Sequence, residues 1–383
     1  MGIIHNCDKN HTLETLLADN RVKKFAQILV DHSAKITEGD RVLLEGTTAA
    51  IPLIEEMYVL ILERGGIPYP ALDLPHQQEL FFQHANDAAI KHTPIFRKLA
   101  YEEFESRFRI HSLLDTRSLG TVDPKRQADH GKALQPILEA QMRRGAAKKF
   151  KWVTTLFPTE AYAKDAGMSL RQYEDFVYGA VHAEEKDPIA YWKKVEEEQK
   201  SIVERFEGHD KVVLRGPNVD LTLSIKGRTF LNAAGEHNMP DGEIYTGPVE
   251  KSVKGWVRFT YPAITQGRSV EGIELQFVEG QVFNAKAKTN EEFLLRMLET
   301  DKGARYLGEF AIGTNFEIDR FTGNILFDEK IGGSFHMALG AGYPETGSKN
   351  TSSIHWDMIC DMRKDAEIML DGETVYKNGK FVF

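Results

Sequence analysis

Apolar positions follow two different rhythms along this chain. Over residues 21–36, Val22, Phe25, Ala26, Leu29 and Ala34 fall near a helical period. Thr37-Glu38-Gly39 ends that helix, and Asp40–Leu44 reads as a short buried strand. A second helix runs to Glu63, with Pro52 near its first turn, where proline is tolerated. Gly65-Gly66 stops it and Ile67–Leu72 begins the next strand. A strand, a helix and a strand of these lengths make a parallel crossover. Further strands are expected at 109–114 and 152–157, with a helix over 131–144. Residues 1–185 are thus expected to form an α/β, Rossmann-like domain with a mostly parallel sheet.

A charged helix follows over Pro188–Phe206, with Ile189, Trp192, Val195, Ile202 and Phe206 on one stripe. It is expected to link two domains, across residues 186–210. From Lys211 the rhythm changes to short alternating strands at 212–214, 221–225, 253–259, 273–277 and 282–286, separated by turns such as Glu279-Gly280. One helix, expected over 290–306, interrupts them with Phe293, Leu294, Met297 and Leu298 inward. The end, Glu367–Phe383, reads as a hairpin turning near Asp371-Gly372, with a further strand after Asn378-Gly379. Residues 211–383 are therefore expected to form an α+β domain of mainly antiparallel strands.

The chemistry concentrates between Phe327 and Arg363. Phe335, Met337 and Leu339 alternate with His336 and Ala338, and Ile354, Trp356 and Met358 alternate with His355 and Asp357. A period of two puts His355 and Asp357 on one face of one strand. Taken alone, such a pair is more often incidental than functional. A second inward histidine, His336, and a glycine-rich loop between the strands shift the balance toward a metal site. Two carboxylates elsewhere could join it. Glu243 starts a strand after the turn at Pro240-Asp241-Gly242. Glu309 stands in the apolar stretch Leu307–Ile312, where a lone charge is costly unless paired or metal-bound. Asp241, Asp328, Glu329 and Asp361 are flanked by turns or other charges and are set aside. So are His84, His92, His111, His130 and His182, which lack a paired carboxylate pattern.

Composition narrows the function classes. The chain has 383 residues, 42% hydrophobic and 27% charged, as soluble globular proteins do. A net charge of −9 argues against nucleic acid as a partner. No apolar run nears the roughly 20 residues needed to span a bilayer. The N-terminus lacks the basic and apolar regions of a signal peptide, and Asn6 breaks the pattern that would make Met1-Gly2 a myristoylation site. Cys7 and Cys360 are too few for a disulfide framework, so a cytoplasmic location is expected. Neither nucleotide-binding glycine motif is present: the first strand runs into Glu45–Ala50 with a single glycine.

Several segments resemble the M29 family of metallo-aminopeptidases, the aminopeptidase T, aminopeptidase S and PepS type. They are RVKKFAQILVDHSAKITEGDRVLLEG, NMPDGEIYTGPVEKSVKG, LGEFAIGTN, LFDEKIGGSFHMALGAGYPETG and KNTSSIHWDMICDMR. The resemblance covers nearly the whole chain. It implies two divalent metal ions held by Glu243, Glu309, His336, His355 and Asp357, with Tyr343 as the catalytic tyrosine. It further implies release of N-terminal residues from peptides with a free amine, and a homodimer. The carboxylate and imidazole mixture accepts Zn, Co or Mn. Two rival readings remain from the residues themselves. His336, His355 and Asp357 alone match the ligand set of mononuclear Fe(II) ring-cleaving oxygenases. A catalytically silent binding protein would need none of the five.

Overall fold

The computed structural model describes residues 19–383. Cys7 and the Met1-Gly2 pair lie outside the described residues. Four strands from the first half, in the order Ile67–Asp73, Arg41–Thr47, Ser106–His111 and Lys151–Leu156, form a parallel sheet. Val42 and Leu44 pack on one face against Phe25, Leu29, Leu53 and Met57. Leu43, on the other face, meets Tyr101, Ile137 and Phe150. Both faces are covered, as a parallel sheet requires. The outer strand Ile67–Asp73 donates inward from the Ile67 N–H to the Asp40 carbonyl. Backbone groups alternate sides, so Pro68 and Pro70 stand where an N–H would point outward. The edge therefore offers few donors for unwanted pairing.

The fifth strand of this sheet is the two-residue Asn238–Met239, parallel to Lys151–Leu156. It comes from beyond the Pro188–Phe206 helix, and only three residues separate its end from Glu243. A two-residue strand carries no periodicity to read.

The rest of the chain builds two larger antiparallel sheets. One has eight strands and includes the C-terminal hairpin, Glu367–Leu370 with Glu373–Lys377, and the short Lys380–Phe381 beside it. The other has five, ordered His355–Asp361, Ser334–Gly340, Leu307–Gly313, Glu243–Thr246 and Leu231–Ala233. Ile244, Phe310, Ile312, Phe335, Met337, Leu339, Trp356 and Met358 from the five-stranded sheet join Leu214, Leu221, Val257, Leu275 and Ile368 from the eight-stranded one in a single core. One face of the five-stranded sheet is thereby committed to packing, and the other is left for chemistry.

The α/β architecture with parallel and antiparallel sheets follows the sequence reading, with shifts at element ends. The helix expected over 290–306 covers Glu291–Leu298 only. Asp301 ends the possibility of continuation by accepting the N–H groups of Gly303 and Ala304, both at 3.0 Å. The strand expected at 109–114 is Ser106–His111. Its start is masked by Arg107, a charged residue that is 3% exposed and donates to the Val153 carbonyl and Gln141. The helix expected over 131–144 runs Pro124–Ala146, capped by Asp123. The first helix is α-helical over Asn20–Gln27 and widens into a π-helical turn over Ile28–Ser33. Among the described residues no helix is long and apolar enough to cross a membrane. Cys360 is a free, buried thiol.

Candidate metal centre

Register decides what the free face of the five-stranded sheet presents. Glu309 lies opposite Ala338, which lies opposite Asp357. Ala311 lies between Tyr245 and His336. Gly313 pairs with Glu243, and Gly340 with His355. Donor side chains thus alternate across the strands with alanine or glycine. The small residues leave space above the sheet in which long polar side chains converge. A bulge between Leu307 and Glu309 shifts the register where the glutamate joins this row.

The convergence is tight. Three groups of donor atoms each lie within 4.8 Å of one another: Glu243, Glu309 and His336; Glu309, His355 and Asp357; Glu329, His336 and Asp357. Each group shares a residue with each of the others, so the three close into a ring. All five ligand candidates from the sequence fall in it. His336 Nε2 lies 3.3 Å from Glu243 Oε2, and His355 Nε2 lies 3.1 Å from Glu309 Oε2 and 3.4 Å from Asp357 Oδ1. His355 Nδ1 is 2.8 Å from the Ala341 carbonyl, which fixes the ring with Nε2 toward the carboxylates.

Two of the residues set aside in the sequence need correction. Glu329 is not a solvated turn residue: it completes the third group. Asp241 is 2% exposed and accepts the N–H groups of Gly235 and Gly242. Between these two carboxylates lies Lys330, itself 1% exposed. Its Nζ is 2.5 Å from Glu243 Oε1, 2.7 Å from Glu329 Oε1 and 3.6 Å from Asp241 Oδ1. The run Asp328-Glu329-Lys330 looks like an exposed charged turn, and only the Ile331-Gly332-Gly333 that follows hints at close packing. Asp328 is buried too, but it accepts from the Thr322 N–H and hydroxyl and takes no part in the centre. Asp361 pairs with Arg363 as a peripheral ion pair. None of the five histidines set aside belongs to the three groups.

Burial and crowding shape the protonation of these groups. Burial opposes a charged Lys330, but Glu243, Glu329 and Asp241 outweigh it and hold the ammonium protonated. Burial pushes Glu243 upward against the pull of Lys330, with Glu329, Glu309 and Asp241 adding repulsion. Burial works against the imidazolium of His355 as well, yet Asp357 and Glu309 push it up to about 12. Tyr343 has its phenol pushed well above the ordinary range by burial and by Glu309 and Asp357, so it remains a donor at neutral pH. Its ring centre is 5.2 Å from that of His355 and 5.6 Å from that of Tyr245.

The donor set fits divalent cations. His336 Nδ1 is buried without a hydrogen-bond partner, and Glu243 Oε2 and Asp357 Oδ1 are buried with no well-formed hydrogen bond beyond their imidazole contacts at 3.3 and 3.4 Å. Each such atom costs roughly 1–3 kcal/mol if nothing satisfies it. Carboxylate oxygens and imidazole nitrogens turned toward one another in a crowded acidic pocket are what a cation relieves.

Comparison with known proteins agrees with this chemistry. The model of the thermophilic metalloprotease (M29) family matches residues 18–381. Aminopeptidase 2 of Geobacillus stearothermophilus is 26% identical over 95% of this chain and 98% of its own length. Aminopeptidase PepS of Streptococcus thermophilus is 25% identical over 94% and 98%. The solved structure of wild-type AmpT from Thermus thermophilus superposes with a TM-score of 0.84 at 20% identity, covering 95% of this chain and 99% of that one. A 2,5-dihydroxypyridine dioxygenase from Pseudomonas putida KT2440 shares the fold more loosely, with a TM-score of 0.56 at 12% identity over 95% and 98% of the two chains.

The approach to His355 is tied down by Asp301. Its carboxylate accepts from the Ser353 N–H at 2.7 Å and from the hydroxyls of Ser352 and Ser353. These bonds lower its pKa to about 2 from an ordinary 3.8. A depressed folded-state pKa means that the ionised form stabilises the fold above the ordinary value and that this contribution fades as pH falls toward the folded one. Asp301→Ala is therefore expected to lower the Tm by a constant amount above about pH 4. The gap should narrow as the pH is lowered from about 4 to about 2, as thermal melts across that range will record.

Proposed function

The chain belongs to the thermophilic metalloprotease (M29) family, and on that premise we propose how it works as a metal-dependent aminopeptidase: two divalent cations held by Glu243, Glu309, His336, His355 and Asp357. The observation that carries the number of ions is charge. Asp241, Glu243, Glu309, Glu329 and Asp357 bring five negative charges to one pocket, and Lys330 returns one positive charge. With all five carboxylates ionised and both histidines neutral, as ligation of a metal requires, the remaining four charges would equal two divalent cations. Glu329 is a sixth donor on the same count. Zn, Co and Mn all suit this ligand mixture.

Bound there, such ions supply a water acidified toward neutrality and a polarised carbonyl. The protein's own groups do the rest. Lys330 holds Glu243 by Oε1 and leaves Oε2 free to face the centre. The Ala341 carbonyl holds His355 by Nδ1. The centre would accept the nitrogen of a free peptide amine as a further ligand, which an acylated amine does not offer. Tyr343, protonated beside His355, donates a hydrogen bond to the oxyanion that develops as the carbonyl is attacked. A mononuclear iron oxygenase would use His336, His355 and Asp357 and leave Glu243 and Glu309 without a task. The likeness to the dioxygenase is one of fold alone.

Three outcomes test this reading. Chelation should abolish turnover of an aminoacyl chromogenic amide, and Zn, Co or Mn should restore it, with elemental analysis giving two ions per chain. The N-acetylated twin of that amide should not be turned over, and equal rates on both would point to an endopeptidase. We place the protein in the cytoplasm as a homodimer acting on peptides. Light scattering at low micromolar concentration should give twice the chain mass of 43.4 kDa.

Tyr343 separates from the ligands by substitution. Tyr343→Phe should keep its metal and its KM while kcat falls by about 10²–10³, as on loss of one oxyanion donor. His355→Ala should lose metal together with activity. A Tyr343→Phe enzyme within a factor of about two of wild type would remove the hydroxyl from the mechanism.

A further inference from the structure

The Gly242–Gly255 segment supplies Glu243 to the metal centre, but its second glutamate has no part there. Glu250 instead meets the loop that carries Tyr343. Its Oε1 accepts the Lys349 N–H at 2.7 Å, and its Oε2 accepts from Arg228 Nη2 at 2.7 Å. The Arg228 side chain is only 6% exposed. Its guanidinium lies against Gly347, with Nη1 3.6 Å from where a Cβ would stand. One residue further, the Thr229 N–H donates to the Thr346 carbonyl at 3.0 Å. Thr346 in turn gives its N–H and its hydroxyl to the Tyr343 carbonyl, at 3.1 and 2.7 Å. Hydrogen bonds thus reach the backbone of Tyr343 from Thr229 through Thr346, while Glu250 holds the same loop at Lys349 and fixes Arg228, the residue next to Thr229.

The loop needs such a grip. The phenol end of Tyr343 is turned into the crowded centre, but the residue as a whole is 43% exposed, so its own packing holds it only in part. Its neighbours lie so close to the sheet that side chains are excluded. A Cβ on Gly342 would stand 2.1 Å from Ser348 Oγ, and one on Gly247 would stand 2.6 Å from Ser348 Cβ. A Cβ on Gly308 would stand 2.1 Å from the Ala341 carbonyl. Glu250 is itself fixed at its backbone: the Val249 N–H donates to the Ser224 carbonyl at 2.8 Å, and Gly280 packs against the Glu250 carbonyl. The eight-stranded sheet, to which Ser224 belongs, therefore anchors the loop from outside the sheet that bears the donors.

We propose that Glu250 and Arg228 are positioning residues for Tyr343, a bracket that holds residues 343–349 against the sheet so that the phenol stays beside His355. The proposal rests on the reading of Tyr343 as the oxyanion donor. It makes the bracket act on turnover through one side chain only, without touching the metal ligands.

The test uses the metal-loaded enzyme and four forms: wild type, Glu250→Ala, Tyr343→Phe and the double variant. Glu250→Ala should keep its metal content and KM while kcat falls by about 10- to 100-fold, the scale of a misplaced catalytic group. Hydrogen exchange of the amides at 343–349 should speed up, and exchange in the Ser334–Gly340 strand should not. In the double variant the Glu250 change should add nothing to the loss caused by Tyr343→Phe, because the two act as one unit. Unchanged loop exchange in Glu250→Ala overturns the bracket whatever the kinetics. Losses that multiply in the double variant overturn its action through Tyr343. Faster loop exchange with a fully active Tyr343→Phe enzyme instead overturns the tyrosine reading, and the proposed catalytic consequence with it. Arg228→Met should reproduce the pattern of Glu250→Ala.

Discussion

Lys330 is fully buried, with its ammonium 2.5 Å from Glu243 and 2.7 Å from Glu329. An ammonium in that position costs several kcal/mol in lost hydration unless its partners are close and well aimed. The same holds for each carboxylate around it. Together they are tolerable, and apart none is. This mutual dependence ties the end of the short Ile325–Asp328 helix to the start of the Glu243–Thr246 strand. It also leaves Glu243 with one oxygen engaged and the other free. The pocket keeps an excess of negative charge after Lys330 is counted, and that excess is its affinity for cations.

The sheet beneath makes the arrangement possible. Its packed face is apolar and joins the common core, so the strands cannot slip by one residue without exposing Phe310, Phe335 and Met337. Fixing the register for packing also fixes the other face. Ala311, Gly313, Ala338 and Gly340 then fall between the donors. Larger residues at these points would fill the space that the glutamates and histidines need. Stability and chemistry are set by one register, read from its two sides.

Loops complete what strands begin. Tyr343 reaches the centre from a segment that glycines let lie close to the sheet, and Asp301 and Glu250 hold the far side of that segment. Both carboxylates work by accepting backbone N–H groups, which orders a chain that has little apolar surface of its own. The parallel sheet of the first half reaches the centre differently. Its last strand, Asn238–Met239, enters from the second half and leads directly to Asp241 and Glu243.

The alternation of apolar and polar residues around His336, His355 and Asp357 is local, and the sequence alone determined their shared face. Glu309 was legible for a related reason: a single charge within Leu307–Ile312 demands a partner. The α/β first half and the antiparallel second half were equally open to reading, because helix and strand periods are properties of neighbouring residues. Glu329, Lys330 and Asp241 were not. Each stands among turn residues and charges, and nothing within a few positions distinguishes a buried carboxylate from a solvated one. Their burial is decided by the approach of segments 87 and 89 residues apart in the chain. The end of the 291–298 helix and the two-residue strand at 238–239 were likewise settled by distant partners. Local pattern fixes which side of an element a residue occupies. Which charges meet depends on tertiary packing, because the energy of burying a charge belongs to the group of residues and not to any one of them.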